Sequence, residues 1–334
     1  MKAVTISDVA KHAGTSKSTV SQFLNERFDY MREDTKKRIE VAIEELGYSP
    51  NIVARSLKMK STKTIGVIVA NILHVFSTQV IRSIEDFCNE SNFHVIVCNA
   101  DDDPVKEKRY IDMLRAKQVD GIIAFPTGGN VDLYKRLVSE KYPIVFMDRM
   151  IPELPINTVL LDNEKASKLA VDAFLQKGHD QIGMISPSLG KCITPRMERI
   201  NGYKNALLDH QIPFKQEYLV SAEIPHIQSV LETMLGSPNR PQALLALNDR
   251  VLFEILKYTK EHQIRIPEDL AVIGIDDVSF ANFYSPALTT VAQPAFEMGK
   301  KAAELLLTRI SNKESEVEAE IFRFEPQLIK RSSC

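Results

Sequence analysis

Cysteine is scarce and unpatterned in this chain. Cys88, Cys98, Cys192 and Cys334 fall at no metal-ligand spacing and build no disulfide framework, which suits a reducing compartment. Long apolar runs are also missing. None reaches membrane length and no leader precedes Thr5, so a cytoplasmic protein without membrane contact is expected. No glycine-rich phosphate loop follows a strand: Gly128-Gly129 comes after Thr127, but no Gly-Lys-Ser/Thr follows. The seven histidines are scattered, and no nucleophile sits at motif spacing from a base. Asp101-Asp102-Asp103 could gather a metal, yet Pro104 and the helical pattern behind it read as a capped loop. No catalytic residue, metal or cofactor is assigned, and an enzyme is not expected.

Charge of one sign is short as well. The 334 residues carry 42 Lys and Arg against 44 Asp and Glu, net −2, so the molecule does not bind polyanions by bulk charge. The balance is uneven. Residues 1–62 hold eleven basic and eight acidic side chains, and the remainder 31 and 36. That excess is mild, so specific contacts and dimerisation would have to contribute much of any DNA affinity. At 44% hydrophobic the chain can build one small and two medium domains with real cores.

The most informative stretch is Thr5 to Leu57. Thr5 or Ser7 can cap a helix that carries Asp8 in its first turn and Ile6, Val9 and Ala10 on one face. Ala13-Gly14-Thr15 breaks it. A second helix starts within a few residues, burying Val20, Phe23 and Leu24 and leaving Lys17, Ser18, Ser21 and Gln22 polar. A third runs from about Arg32 to Leu46 and stops at Gly47. Two short helices joined by a glycine turn match helix-turn-helix geometry. Lys17 and Gln22 have the chemistry to read base edges, and Ser and Thr suit phosphates. An ordinary three-helix module with a solvated polar face would show the same spacing. The added signal is the short basic helix candidate from Tyr48 to Lys58, between headpiece and body.

The run Thr-Ile-Ser-Asp-Val-Ala-Lys-His-Ala-Gly-Thr-Ser-Lys-Ser-Thr-Val-Ser-Gln-Phe-Leu-Asn, then Glu-Glu-Leu-Gly-Tyr-Ser-Pro-Asn-Ile-Val-Ala-Arg-Ser-Leu-Lys, resembles the headpiece and hinge of the LacI/GalR family of bacterial transcription regulators. The resemblance implies that Lys17, Ser18 and Gln22 read the major groove. It implies that Leu57 wedges into a central minor-groove step, with Ala54 and Lys58 along that groove. Such a wedge unstacks a step at a cost on the order of a few kcal/mol, offset by extra contact. The loop Glu26 to Met31 is one residue longer than in some members, so no loop contact is carried to Arg27.

The body alternates strand and helix patterns. Apolar runs at 65–70, 94–98, 121–126, 144–148, 158–161, 181–186, 243–247 and 271–275 read as buried parallel strands. That number favours two lobes over one sheet. The fold class is thus α/β: a helix-turn-helix headpiece plus a two-lobed, periplasmic-binding-protein-like core with parallel sheets. The expected organisation is a headpiece over 1–50, a hinge helix and linker over 51–63, a first lobe over 64–161 and a second over 162–291. The family fold adds three crossovers, which return 292–321 to the first lobe and 322–334 to the second.

Ligands of such sheets sit at the carboxyl ends of strands. There the chain places Asn71 to Ser77, Pro126-Thr127, Asp148-Arg149, Asp162-Asn163, Asn248-Asp249 and Asp276-Asp277. Carboxylates, amides and arginine bind hydroxyls, although Asp and Asn after strands also serve as helix caps. The resemblance points to Arg199 of the Arg-x-x-Gly segment, Asn248 and Asp276 as effector contacts. Phe76 can cover an apolar ligand face, and Arg149 and Arg196 add guanidiniums suited to an acid group on a sugar. A sugar or sugar-acid effector is expected, such as the 2-keto-3-deoxygluconate that controls regulators of pectin and uronate breakdown. The alternative is a regulator of this fold governed by a protein partner or corepressor. An exported sugar-binding transport protein would lack the headpiece. No leucine heptad follows Lys330, so a homodimer on double-stranded operator DNA is expected.

Overall fold

A computed structural model describes residues 4–29, 31–49, 61–189, 193–312 and 318–334. It separates into two compact units, 1–62 and 63–334.

In the first unit, α1 (Ile6–His12), α2 (Lys17–Leu24) and α3 (Glu33–Leu46) form a three-helix headpiece. The Thr5 amide and hydroxyl both donate to Asp8 Oδ2, closing the start of α1. Ser16 Oγ accepts from the Thr19 amide and starts α2. Gly14 and Gly47 lie at φ +60° and +58°, the left-handed backbone that ends α1 and α3. Val9, Val20, Ile39 and Ala42 are fully buried at the meeting of the three helices.

The second unit has two six-stranded sheets. In chain order its elements are β1 (Thr64–Val69), α4 (Val75–Glu90), β2 (His94–Asn99), α5 (Pro104–Ala116), β3 (Gly121–Ala124), α6 (Val131–Ser139), β4 (Ile144–Met147) and β5 (Thr158–Leu161). Then come α7 (Asn163–Gln176), β6 (Ile182–Pro187), α8 (Thr194–Asp209), β7 (Leu219–Ala222), α9 (Ile227–Leu235), β8 (Ala243–Ala246), α10 (Asp249–Glu261) and β9 (Ala271–Ile275). The chain finishes with β10 (Thr289–Ala292), α11 (Ala295–Ser311), β11 (Ile321–Phe324) and β12 (Gln327–Ile329). The first sheet runs β11-β5-β4-β3-β1-β2 and the second β12-β10-β9-β8-β6-β7. Every pairing is parallel except β10 with β12. Strands such as Ile65–Val69 and Ala243–Ala246 are apolar throughout because helices cover both sheet faces.

The chain changes sheets between β5 and α7, between β10 and α11, and between β11 and β12. The last change differs from the expected one. The family fold places 322–324 in the second lobe, but β11 pairs with β5 of the first sheet, Phe324 opposite Leu161. Only β12 reaches the second sheet, because Pro326 cannot carry a continuous ladder across the junction. The short edge strand β7 gave no apolar run: Val220 is half-buried and Ser221 exposed.

Two glycines set helix spacing. A Cβ on Gly299 of α11 would meet the Val80 carbonyl of α4 at 2.8 Å. One on Gly202 of α8 would sit 2.5 Å from Glu164 Cα of α7. Gly202 lies one turn from Arg199, so this contact fixes how deeply Arg199 is carried toward the sheet ends. Gly202→Ala should cost about 1–3 kcal/mol or more by overpacking. Thermal unfolding of the variant checks this; an unchanged melting temperature would show that the helices part freely.

Candidate functional sites

The headpiece presents a polar face. Lys17, Ser18 and Gln22 are all exposed on α2, Ser18 and Gln22 one turn apart, while Val20 between them is fully buried. Ser18 Oγ lies 2.6 Å from Ser16 Oγ, and Asn25 Nδ2 donates to the Ser21 carbonyl, so the ends of the face are tied to the helix. Ala54, Leu57 and Lys58, the expected minor-groove residues, lie outside the described residues.

In the two-lobed unit, Phe76, Arg149, Arg196, Arg199, Asn248 and Asp276 line one cleft between the lobes. The topology explains the convergence. Each sheet reverses its strand order beside its first strand in the chain, β1 in one and β6 in the other. The loops leaving β1, β4, β8 and β9 meet there.

Arg199 is 5% exposed. Its Nε donates to Asn163 Oδ1 at 2.9 Å and its Nη1 to the Leu247 carbonyl at 2.8 Å. Asn163 is held in turn by donating to Glu198 Oε2. Arg149 donates from Nη1 to Asp102 Oδ1 at 2.6 Å, and its buried Nε has no hydrogen-bond partner among the described residues. Arg196 donates to the Ser188 carbonyl and, across the cleft, to Asp102 Oδ2 at 3.2 Å. Asn248 Oδ1 caps α10 through the Val251 amide, so the capping role is real there. Asp276 accepts from Gln293 Nε2 at 2.5 Å and from the Asp249 amide. Asp277 turns away and holds Arg331.

A second bridge crosses the cleft from His74. Its Nδ1 lies 2.5 Å from Asp249 Oδ1, and the Val75 amide donates to Asp249 Oδ2. Burial pushes the Asp249 carboxyl up, but the His74 hydrogen bond prevails and holds it below the ordinary range. Burial likewise opposes ionisation of Asp102, yet Arg149 and then Arg196 keep it low. Asp148 and Asp276 go the other way. Burial raises both, and the Asp249 charge raises Asp276 further. They occupy matching places, after β4 and β9, at φ +65° and +89°. Left-handed aspartates cost on the order of 1 kcal/mol each and cluster at ligand sites.

From the sequence Asp102 reads only as part of a capped loop, yet it accepts from Arg149 and Arg196. Asp103 does cap α5, through the Val105 amide, and Asp101 pairs with Lys106. Only Asp102 of the three bonds to cleft-lining arginines, and no motif marks it out from its neighbours. Asn163 and Asp249 stand among the strand-end residues named above, whereas Gln293 does not. Other cavities, of about 400 Å³ beside β7 and α9 and about 530 Å³ beside Arg265 and Tyr284, are not lined by residues of the cleft.

A helix-turn-helix headpiece and a periplasmic-binding-type core in one chain define a transcriptional regulator rather than an enzyme or a transport protein. Residues 5–51 match the model of bacterial regulatory proteins of the lacI family, and 171–334 match the periplasmic binding protein-like domain. The chain is 51% identical over 332 residues to the probable HTH-type transcriptional regulator EndR of Paenibacillus polymyxa, covering 98% of each. It is 34% identical over 315 residues to the HTH-type transcriptional regulator KdgR of Bacillus subtilis, covering 92% of this chain and 91% of that one. The Lac repressor bound to ONPG in its repressed state superposes with a TM-score of 0.87 at 25% identity, over the whole of both chains. The chain belongs to the lacI family of bacterial regulatory proteins.

The raised Asp148 carboxyl has a stability consequence. A carboxyl with a folded pKa above its unfolded value of about 3.9 loses stability as pH rises through the folded value. Asp148→Asn should therefore raise stability at pH 7 by about 1 kcal/mol, as removal of functional-site strain does. The gain should shrink as pH falls through the folded pKa of Asp148. Melting curves across pH check it, and a pH-independent difference would contradict it.

Proposed function

We propose that this regulator is a dimeric repressor of a carbohydrate-utilisation operon, released from a pseudo-palindromic operator by a sugar or sugar acid bound in the interlobe cleft. The observation that carries the reading is the cleft itself. Arg199, Arg149, Asp148, Asn248, Asp276 and Gln293 converge there from both lobes. Donors and acceptors alternating in this way suit the hydroxyls of a sugar, with Phe76 covering an apolar ring face. The resemblance to regulators of pectin and uronate breakdown keeps 2-keto-3-deoxygluconate in view as the effector. On the headpiece, Lys17, Ser18 and Gln22 are assigned to the major groove, and Ala54, Leu57 and Lys58 to the minor groove at the operator centre. Effector and operator then oppose each other through a coupling of about 1–3 kcal/mol. Its place of action is the cytoplasm.

Selection of genomic fragments by the purified protein, followed by sequencing, tests this. Enrichment of a pseudo-palindrome of about 14–18 base pairs with a flexible central step is expected. Enrichment only after addition of cell extract would favour control by a protein partner or corepressor, and no enrichment in either case would overturn the reading. Gln22→Ala should cost about 1–3 kcal/mol on the selected operator and relax one base preference. Leu57→Ala should weaken the operator complex far more than binding to random DNA; equal losses would remove the wedge assignment. Light scattering should give about twice 37.7 kDa, and a fourfold mass would contradict the dimer.

A further inference from the structure

Asp102 is the acceptor shared by two guanidiniums that enter the cleft from different lobes, Arg149 after β4 and Arg196 on α8. Asp102 is the only carboxylate that accepts a hydrogen bond from either guanidinium among the described residues. The next carboxyl, Asp148, lies 3.8 Å from Arg149 Nε, beyond hydrogen-bond reach. That Nε belongs to a side chain 7% exposed, lines the cleft and has no acceptor among the described residues. A buried donor left this way costs about 1–3 kcal/mol, so the site is built to receive an acceptor. Space adds a second constraint. The free volume of the cleft is about 60 Å³. That is room for on the order of four waters, less than a hexose ring with an acid group fills. A ligand of that size has to part the lobes or move a side chain, and lining Arg196 is held across the cleft by Asp102.

We infer that Asp102 is a built-in stand-in for the acid group of the effector. Resting on the cleft reading above, an incoming carboxylate or phosphate takes the donors of Arg149 and Arg196 and releases Asp102 from Arg196. This polar bridge between the lobes is thereby exchanged for a ligand bridge, while His74–Asp249 stays. A neutral sugar cannot replace the charge and has to bind beside Asp102. Asp102 thus sets how strongly acids are preferred over neutral sugars: it competes with the acid group and leaves hydroxyl contacts alone.

The test is titration calorimetry on the full chain and on Asp102→Asn. The probes are glucose, glucuronate, glucose 6-phosphate, galactose, galacturonate and 2-keto-3-deoxygluconate. Removing the competing charge should tighten binding of the acids by roughly tenfold, the size of one charged hydrogen bond, and leave neutral sugars within about twofold. The acid that gains identifies carboxylate or phosphate as the recognised group. Equal shifts for acids and neutral sugars, or weaker acid binding, would overturn the role of Asp102 while leaving the cleft reading intact. Binding of no probe by either protein would overturn both. A readout independent of the effector is acetate added to Asp102→Ala. Acetate should raise its melting temperature saturably and leave Asp102→Ala/Arg149→Ala unmoved; equal or absent shifts in both would show that the arginine pair holds no exchangeable anion.

Discussion

Charge buried between the two lobes has to be answered inside the protein, and the rest of the structure follows from how this is done. Asp249 is matched by His74, and Asp102 by Arg149 and Arg196. The His74–Asp249 and Asp102–Arg196 matches cross from one lobe to the other, while Arg149 holds Asp102 from within the same lobe, so the cleft cannot open without exchanging the crossing partners. An ion removed from water costs several kcal/mol unless it is paired. Side chains held that firmly give a ligand two defined states to choose between rather than a continuum of shapes. The strand ends supply the geometry: parallel sheets aim their loops at one seam, and left-handed aspartates after β4 and β9 place matching carboxyls on either side of it.

Much of this is legible in the residues. Continuous apolar runs such as Ile65–Val69 and Ala271–Ile275 announce parallel strands, because nothing else buries both faces of so short a segment. The headpiece is legible from Gly14, Gly47 and the spacing of Val9, Val20 and Ile39. The six residues expected in the effector site meet in one cleft because strand ends of doubly wound sheets leave few alternatives. Three things were not legible. The partition of 321–329 between two sheets depends on which edge strand is nearest, and pairing partners far apart in sequence leave no local trace. The edge strand β7 is too short and too exposed to show an apolar run. Asp102 looks like Asp101 and Asp103, and only the tertiary fold decides which of the three faces inward.

Headpiece and core divide the labour by chemistry. The headpiece is small, mildly basic and polar on one helix face, which on the proposed reading recognises sequence through a few contacts made by two copies. The core is larger and slightly acidic, and its buried arginines, Arg149 and Arg199, both line the cleft. A ligand that binds there with differing affinity in two lobe arrangements shifts their populations by that difference and no more. This sets a bound on control: a few kcal/mol of differential contact, on the scale of one or two charged hydrogen bonds.

The central claim is that the cleft governs operator binding without touching DNA. The most direct measurement is operator affinity for wild type and Arg199→Ala, each titrated with the effector that releases the wild type. The account predicts equal operator affinity in the absence of effector and no release of the variant at concentrations that free the wild type. Release of both proteins at the same effector concentration would contradict it, and would place the control of this regulator outside the cleft.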